Sequence, residues 1–207
     1  KGWIDSRLLP LRKGAAVSMS ATEGEEPRED HGADRRMQDL RQVEEMKMVA
    51  NFTDREITRL LAIFTKLDDD NTGSISKDEI YNLTQFKHNP FLHRIITIAF
   101  PGGKETITLK EFAQLMSIFS LRASREQKLR FAYRVYDDDD DGRISRDDLR
   151  KSLKTIVQDA MDDDFLEEVL QKVMEEADGD EDGYIVFEDF SKVVMNTDIE
   201  GKLTIEF

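Results

Sequence analysis

The sequence predicts an all-α protein in which four helix-loop-helix units form two lobes and short strands pair the loops. Three observations favour this fold class. An acidic pattern with fixed spacing recurs along the chain, each copy has an isoleucine at its eighth place, and segments with the apolar period of a helix flank each copy. Such units bury their apolar faces against one another, so repetition predicts one shared architecture.

The segment 137–148 carries the most informative pattern. It begins with five consecutive aspartates and continues with Gly142, Arg143 and Ile144. In an EF-hand calcium loop, the first, third and fifth side chains supply oxygens, the sixth place is glycine, the seventh offers its carbonyl and the twelfth adds a carboxylate. The predicted ligands are therefore Asp137, Asp139, Asp141, Arg143 through its carbonyl, and Asp148. A solvated acidic run is the alternative, but it would require neither the glycine nor the isoleucine.

Two other segments match the same template. Their predicted ligands are Asp68, Asp70, Thr72, Ser74 and Glu79 in the first loop, and Asp178, Asp180, Asp182, Tyr184 and Asp189 in the fourth, with Ser74 and Tyr184 acting through their carbonyls. A further register at 100–111 lacks ligand oxygens at its first, third and fifth places. We expect this second loop to bind no ion and to serve as scaffold, with Ile107 opposite Ile75 in a two-stranded ribbon.

The twelfth place bears on which metal is bound. Glu79 has the reach for bidentate closure around Ca²⁺, whereas Asp148 and Asp189 are one methylene shorter. We therefore expect up to three Ca²⁺ sites, with Mg²⁺ as an alternative occupant of the third and fourth loops.

Composition excludes several other functions. The chain has 207 residues, no cysteine and a net charge of −14. The absence of cysteine removes disulfides and thiolate metal sites, and the negative charge argues against a nucleic-acid partner. No apolar run is long enough to cross a bilayer. The three histidines have no nucleophile motif beside them, so we expect no enzymatic activity.

The helical patterns divide the chain into an N-terminal extension with a helix over 35–50, two lobes and a tail: 1–50, 51–121, 122–195 and 196–207. Thr53 with Glu56 forms the capping-box signature of the first helix. Asn89 is the expected cap of another helix, with Pro90 in its first turn. Residues 20–36 have the composition of a linker, and 1–20 are also consistent with a targeting segment.

A group of apolar residues is the candidate surface for a partner. In sensor EF-hand proteins, ion binding exposes a Met- and Phe-rich groove that accepts an amphipathic helix of another protein. The candidates here are Met116, Ile118, Phe119, Met161, Met174 and Met195. Each could equally fill a gap in an ordinary core.

Several segments resemble the calcineurin B-like family, which includes calcineurin B, the calcineurin B homologous proteins and the calcium- and integrin-binding proteins. The segments are 64–68, 73–76, 89–91, 94–96, 128–137 and 198–203, and the resemblance covers residues 52–207. It implies a non-enzymatic regulatory subunit that holds a helix of a phosphatase, an ion transporter or a membrane receptor tail. The degenerate second loop resembles the homologous proteins, while the intact first loop does not.

The resemblance also sets expectations about location. It implies a cytoplasmic protein, at a membrane or within a large complex, with peripheral membrane association through a partner. Family members often carry an N-myristoyl glycine, and Gly2 with Ser6 has the spacing of that signal, but Lys1 is not methionine, so the sequence as given does not support lipidation. A constitutive structural subunit of a large assembly and a calcium or magnesium buffer remain alternatives to a sensor.

Overall fold

The computed structural model describes residues 44, 46, 47, 52–82, 90–157, 162–195 and 198–204. Glu44, Met46 and Lys47 are helical, and Met46 is buried in the N-terminal core. The rest of the helix expected over 35–50 lies outside the described residues, as do Met161, Asn89 and the end of the tail.

Where it is described, the first pair of hands contains four helices, a short 3₁₀ turn at Pro101–Gly103 and two strands. The elements in chain order are α1 (Asp54–Leu67), β1 (Ser74–Ser76), α2 (Lys77–Asn82), α3 (Leu92–Ala99), β2 (Thr106–Thr108) and α4 (Leu109–Ile118). The capping box predicted at the start of α1 is present: Glu56 N–H donates to Thr53 Oγ1 at 3.4 Å, and Thr53 N–H donates to Glu56 Oε2 at 2.7 Å. These bonds satisfy amides that have no acceptor within the helix.

The second pair of hands repeats the arrangement and adds a short C-terminal helix. Its elements are α5 (Arg125–Tyr136), β3 (Ile144–Ser145), α6 (Arg146–Val157), α7 (Asp163–Ala177), β4 (Tyr184–Ile185), α8 (Phe187–Val193) and α9 (Ile199–Lys202). The predicted all-α class with paired loop strands is confirmed. Among the described helices, none has the length and apolar character needed to span a bilayer.

The strands pair the loops within each lobe. Ile75 lies opposite Ile107 in one antiparallel ribbon, and Ile144 lies opposite Ile185 in the other. All four side chains are at most 1% exposed. Full burial of such a side chain contributes about 1.5–3 kcal/mol, so the isoleucine at the eighth place anchors each loop to its neighbour. The predicted pairing of Ile107 with Ile75 is confirmed.

The helix α3 packs against both lobes. Ile96 joins the core of the first two hands, while Phe91 and Ile98 join the core of the last two. The prediction that Pro90 lies in the first turn of this helix was wrong, because Pro90 lies in a turn and α3 begins at Leu92, with Phe91 in the N-cap position. The turn allows the ring of Phe91 to pack against that of Tyr136, with the centroids 5.9 Å apart.

Candidate metal centre

The backbone of the first, third and fourth loops repeats one unusual conformation. Left-handed φ angles occur at the fourth and sixth places: Asn71 56°, Asp140 57°, Glu181 60°, Gly73 81°, Gly142 88° and Gly183 88°. The sixth place favours glycine because side chains are strained at such angles. The turn curls the loop so that successive carboxylates face a common centre.

In the first loop, one aspartate organises the turn. Asp68 accepts hydrogen bonds from the Thr72 and Gly73 amides at 2.8 and 2.9 Å. Glu79 accepts from the Asp69 amide at 2.8 Å and from the Ser76 amide at 2.7 Å. Burial raises the pKa of Glu79, but the bonds from Ser76 and Asp69 outweigh it, so the net pKa lies below its usual value. The twelfth residue therefore stays ionised while it closes the loop.

The third loop places its first ligand in a buried position. Asp137 is 2% exposed and accepts from the Asp141 and Gly142 amides at 3.2 and 3.1 Å. Burial raises the pKa of Asp137, and the neighbouring carboxylate of Asp140 adds to that shift. An ionised carboxylate in such a place is costly unless a positive charge is near. The fourth loop repeats the pattern, with Asp178 accepting from Gly183 N–H at 2.8 Å.

Among the described residues, three groups of acidic side chains could each hold a divalent cation. Within each group, one oxygen atom from each carboxylate lies within 4.8 Å of the others. The groups are Asp68, Asp70 and Glu79; Asp137, Asp139 and Asp141; and Asp178, Asp180 and Asp182. Oxygen-only donor sets of this kind suit Ca²⁺ and Mg²⁺. The residues therefore fit the predicted ion, with Thr72 and the carbonyls of Ser74, Arg143 and Tyr184 beside them as further proposed ligands.

The twelfth residues behave differently in the different loops. Glu79 belongs to the acidic group of its loop, whereas the groups found in the described third and fourth loops do not include Asp148 or Asp189. Asp148 Oδ2 accepts from the Ser145 amide at 2.8 Å, as Glu79 does from the Ser76 amide, and Asp189 Oδ1 lies 2.8 Å from Lys192 Nζ. The shorter side chain accounts for the difference in reach.

The second loop carries its own positive charge. Lys104, at the fifth place, makes an ion pair with Glu111, at the twelfth. This hydrogen bond from Lys104 is the largest of the interactions that lower the pKa of Glu111 to about 2, and bonds from Thr108 add to it. An ammonium group thus neutralises the only carboxylate at the ligand places of this loop, which supports the expectation that it binds no metal.

The candidate groove residues differ in exposure. Phe119 and Met174 are buried in the C-terminal core, Met116 and Ile118 are partly buried against it, and Met195 is 64% exposed. Leu121, which the sequence did not single out, is 67% exposed in the connection between the lobes. The groove remains a prediction, and Met195 is the most exposed of its described residues.

Arg94 is a further residue of the candidate site that the sequence patterns did not identify. It is 7% exposed and makes an ion pair with Asp140 of the third loop. Its hydrogen bonds lower the pKa of Asp140. The sequence did carry a signal: this arginine stands at helical spacing between Phe91 and Ile98, on a buried face of α3 that is otherwise apolar.

The chain is similar to known proteins over most of its length. A family model described as an EF-hand domain pair matches residues 126–195. The chain is 41% identical to calcineurin B of Naegleria gruberi over 79% of its own length and 93% of that protein. It is 40% identical to calcineurin B type 2 of Homo sapiens over 77% of its own length and 94% of that protein.

A more distant relative gives the same answer. The chain is 32% identical to calcineurin B of Schizosaccharomyces pombe over 76% of its own length and 90% of that protein. Together with the paired helix-loop-helix units and the acidic groups described above, these similarities show that the chain belongs to the calcineurin B-like family of EF-hand proteins.

Proposed function

We propose that this protein is a calcium-binding, non-catalytic regulatory subunit that holds an amphipathic helix of a partner protein. The observation that carries the proposal is the convergence of acidic side chains within each of three loops that share one backbone conformation, in a chain of the calcineurin B-like family. The catalytic subunit of a phosphatase is the favoured partner, because the similar proteins are named as subunits of calcineurin. A transporter or receptor tail is the second candidate, suggested by the degenerate second loop.

The C-terminal tail supports a mechanism for partner access. Ile199 and Leu203 are 2% and 1% exposed and belong to the C-terminal core, and α9 packs against α5. Lys128 of α5 hydrogen-bonds Thr204, and Arg125 Nη2 donates to the Met195 carbonyl at 2.8 Å. The tail thus covers α5 next to the exposed Met195. We propose that it occupies part of the groove until a partner helix displaces it.

A peptide-binding experiment tests the proposal. A fluorescent peptide carrying the amphipathic helix of a calcineurin catalytic subunit is titrated with the full chain, and its anisotropy is read in calcium and in chelator. Binding that requires calcium indicates a sensor, and equal binding in both indicates a structural subunit. Calcium uptake without peptide binding indicates a buffer. If calorimetry detects no calcium uptake by the chain, the proposal fails.

A truncated chain tests the role of the tail. Deletion of residues 198–207 removes Ile199 and Leu203 from the core. We expect tighter peptide binding, since the partner no longer competes with the tail. An affinity unchanged by the deletion would remove the tail from the mechanism while leaving the calcium proposal intact.

The proposed function also includes a cellular location. We propose that the protein is cytoplasmic and that it associates with a membrane only through a partner, as the family implies.

A further inference from the structure

The Arg94 side chain joins the second hand to the ion loop of the third. Nε and Nη2 donate to the Arg134 carbonyl at 3.0 and 2.9 Å. Nη2 and Nη1 also donate to the two carboxylate oxygens of Asp140 at 2.7 and 3.2 Å. Nη2 makes a further hydrogen bond to the carbonyl of Asp137. One buried guanidinium therefore contacts the helix that enters the loop, the first ligand and the fourth place.

These contacts lie where the third loop begins and where it turns. Arg134 lies in the last turn of α5, where carbonyls lack donors within the helix. Asp140 has a left-handed φ of 57°, which is uncommon for a residue with a side chain. A planar guanidinium can donate to the Arg134 carbonyl and to the Asp140 carboxylate at once, because its N–H donors are arranged in a rigid fork that matches a carboxylate.

We propose that Arg94 is the positioning residue of the third ion loop and that it links ion occupancy of this loop to α3. This inference rests on the calcium binding proposed above. Arg94 holds the Asp137 backbone and the turn at Asp140 in the shape that receives the ion. The loop of the second hand carries Lys104 where other loops would hold an ion. Through Arg94, this hand responds to ion binding in the third loop.

Electrostatics alone predict the opposite effect, which makes the inference testable. The guanidinium repels a nearby divalent cation, so its removal should tighten ion binding if charge were its only influence. If Arg94 acts by positioning, its removal should weaken ion binding because the loop must then be ordered during binding.

The structure offers a matched control in the same loop. Lys151 lies 2.7 Å from Asp138, at the second place of the loop, but it belongs to α6 of the same hand. Arg94→Met and Lys151→Met each remove one positive charge beside the loop, and only the first breaks the contact with α3. Asp140→Asn and Asp138→Asn form the corresponding pair on the acidic side, and both positions are exposed enough to tolerate the change.

Calcium titration followed by NMR provides the readout. The Gly142 amide donates to Asp137 Oδ2 at 3.1 Å, so its resonance reports occupancy of the third loop separately from Gly73 and Gly183. We expect Arg94→Met to weaken binding at Gly142 about tenfold, within the usual range of coupling between two sites. Asp140→Asn should act in the same direction. Lys151→Met should leave the affinity unchanged or tighten it, because a positive charge is removed, and Asp138→Asn should leave it within about twofold.

Hydrogen exchange supplies the second readout. Calcium should slow exchange of the α3 amides in the unaltered chain and in Asp138→Asn, but not in Arg94→Met or Asp140→Asn. Equal or tighter calcium binding by both Arg94→Met and Asp140→Asn overturns the inference. So does a calcium-induced slowing of α3 exchange in these variants that is as large as in the unaltered chain. If Gly142 of the unaltered chain does not respond to calcium, the proposed function itself fails at this loop.

Discussion

The Tyr133 hydroxyl lies 2.9 Å from the carbonyl oxygen of Ile185, a contact between the helix that enters the third loop and the strand of the fourth. The same hydroxyl lies 2.9 Å from the Gly142 carbonyl, so its single proton is shared between the two loops. Burial, and then the charge of Asp137, raise the pKa of Tyr133 to about 12. The hydroxyl therefore remains a donor at neutral pH.

Substitution Tyr133→Phe should uncouple the third and fourth loops. It removes the donor that both carbonyls share, which should lower the free energy of unfolding by about 1–2 kcal/mol. Calcium titration of the two loops, followed at Gly142 and Gly183, should become less cooperative. Tyr81→Phe is the control, because Tyr81 is 37% exposed. Unchanged cooperativity in Tyr133→Phe would show that the strand pair alone couples the loops.

The twelfth residue should determine how well each loop selects Ca²⁺ over Mg²⁺. In Asp148→Glu the added methylene brings the carboxylate towards the acidic group of the third loop, and calcium affinity should rise about tenfold, or ~1.4 kcal/mol. Glu79→Asp makes the reverse change in the first loop and should lower it. Calorimetric titrations with each metal measure both effects. If neither exchange alters the ratio of Ca²⁺ to Mg²⁺ affinity, reach at the twelfth place does not control selectivity.

The ion pair of the second loop should give it a distinct pH dependence. The pKa of Glu111 lies at about 2, below its ordinary value of 4.5, chiefly because of the hydrogen bond from Lys104. A lowered pKa means that ionised Glu111 stabilises the fold. That contribution is complete above pH 4.5 and is lost as the pH falls towards 2.

A single substitution tests this assignment. Lys104→Met should raise the pKa of Glu111 towards its ordinary value, leaving only the smaller lowering by Thr108. An NMR titration of the Glu111 carboxyl carbon measures it. Lys110→Met, in an exposed neighbouring position, should leave that pKa unchanged. Equal shifts in the two variants would indicate a general charge effect rather than the ion pair.

The loop without ligands should nevertheless support calcium binding by its neighbour. Ile107 is 1% exposed and lies opposite Ile75 of the first loop. Ile107→Ala should reduce the free energy of unfolding by about 2–4 kcal/mol, because it removes buried methyl groups and leaves a cavity. Calcium affinity at Gly73 should also fall, although no ligand has changed.

Denaturation in chelator and calcium titration at Gly73 measure these two effects. Ile63→Ala is the control, since Ile63 is only partly buried in the same lobe. Loss of stability with unchanged affinity at Gly73 would mean that the first loop is shaped without its partner strand.

The sequence was sufficient for features that depend on neighbouring residues. The acidic spacing identified the first, third and fourth loops, and Gly73, Gly142 and Gly183 marked the turns that require a left-handed φ. The apolar period located most helices, and the capping box of Thr53 and Glu56 marked where α1 begins. The isoleucine at the eighth place even predicted the strand pairs, since the loops of paired hands meet at that position.

Only the tertiary structure decided which distant groups meet. The sequence separates Arg94 from Asp140, and Tyr133 from Ile185, and no periodic pattern connects them, because their contacts follow from how α3 and α5 pack. The burial of Met174 and the exposure of Met195 were likewise not evident from residue type. Local spacing determined which oxygen atoms each loop presents, whereas packing across the chain determined which other elements contact each loop.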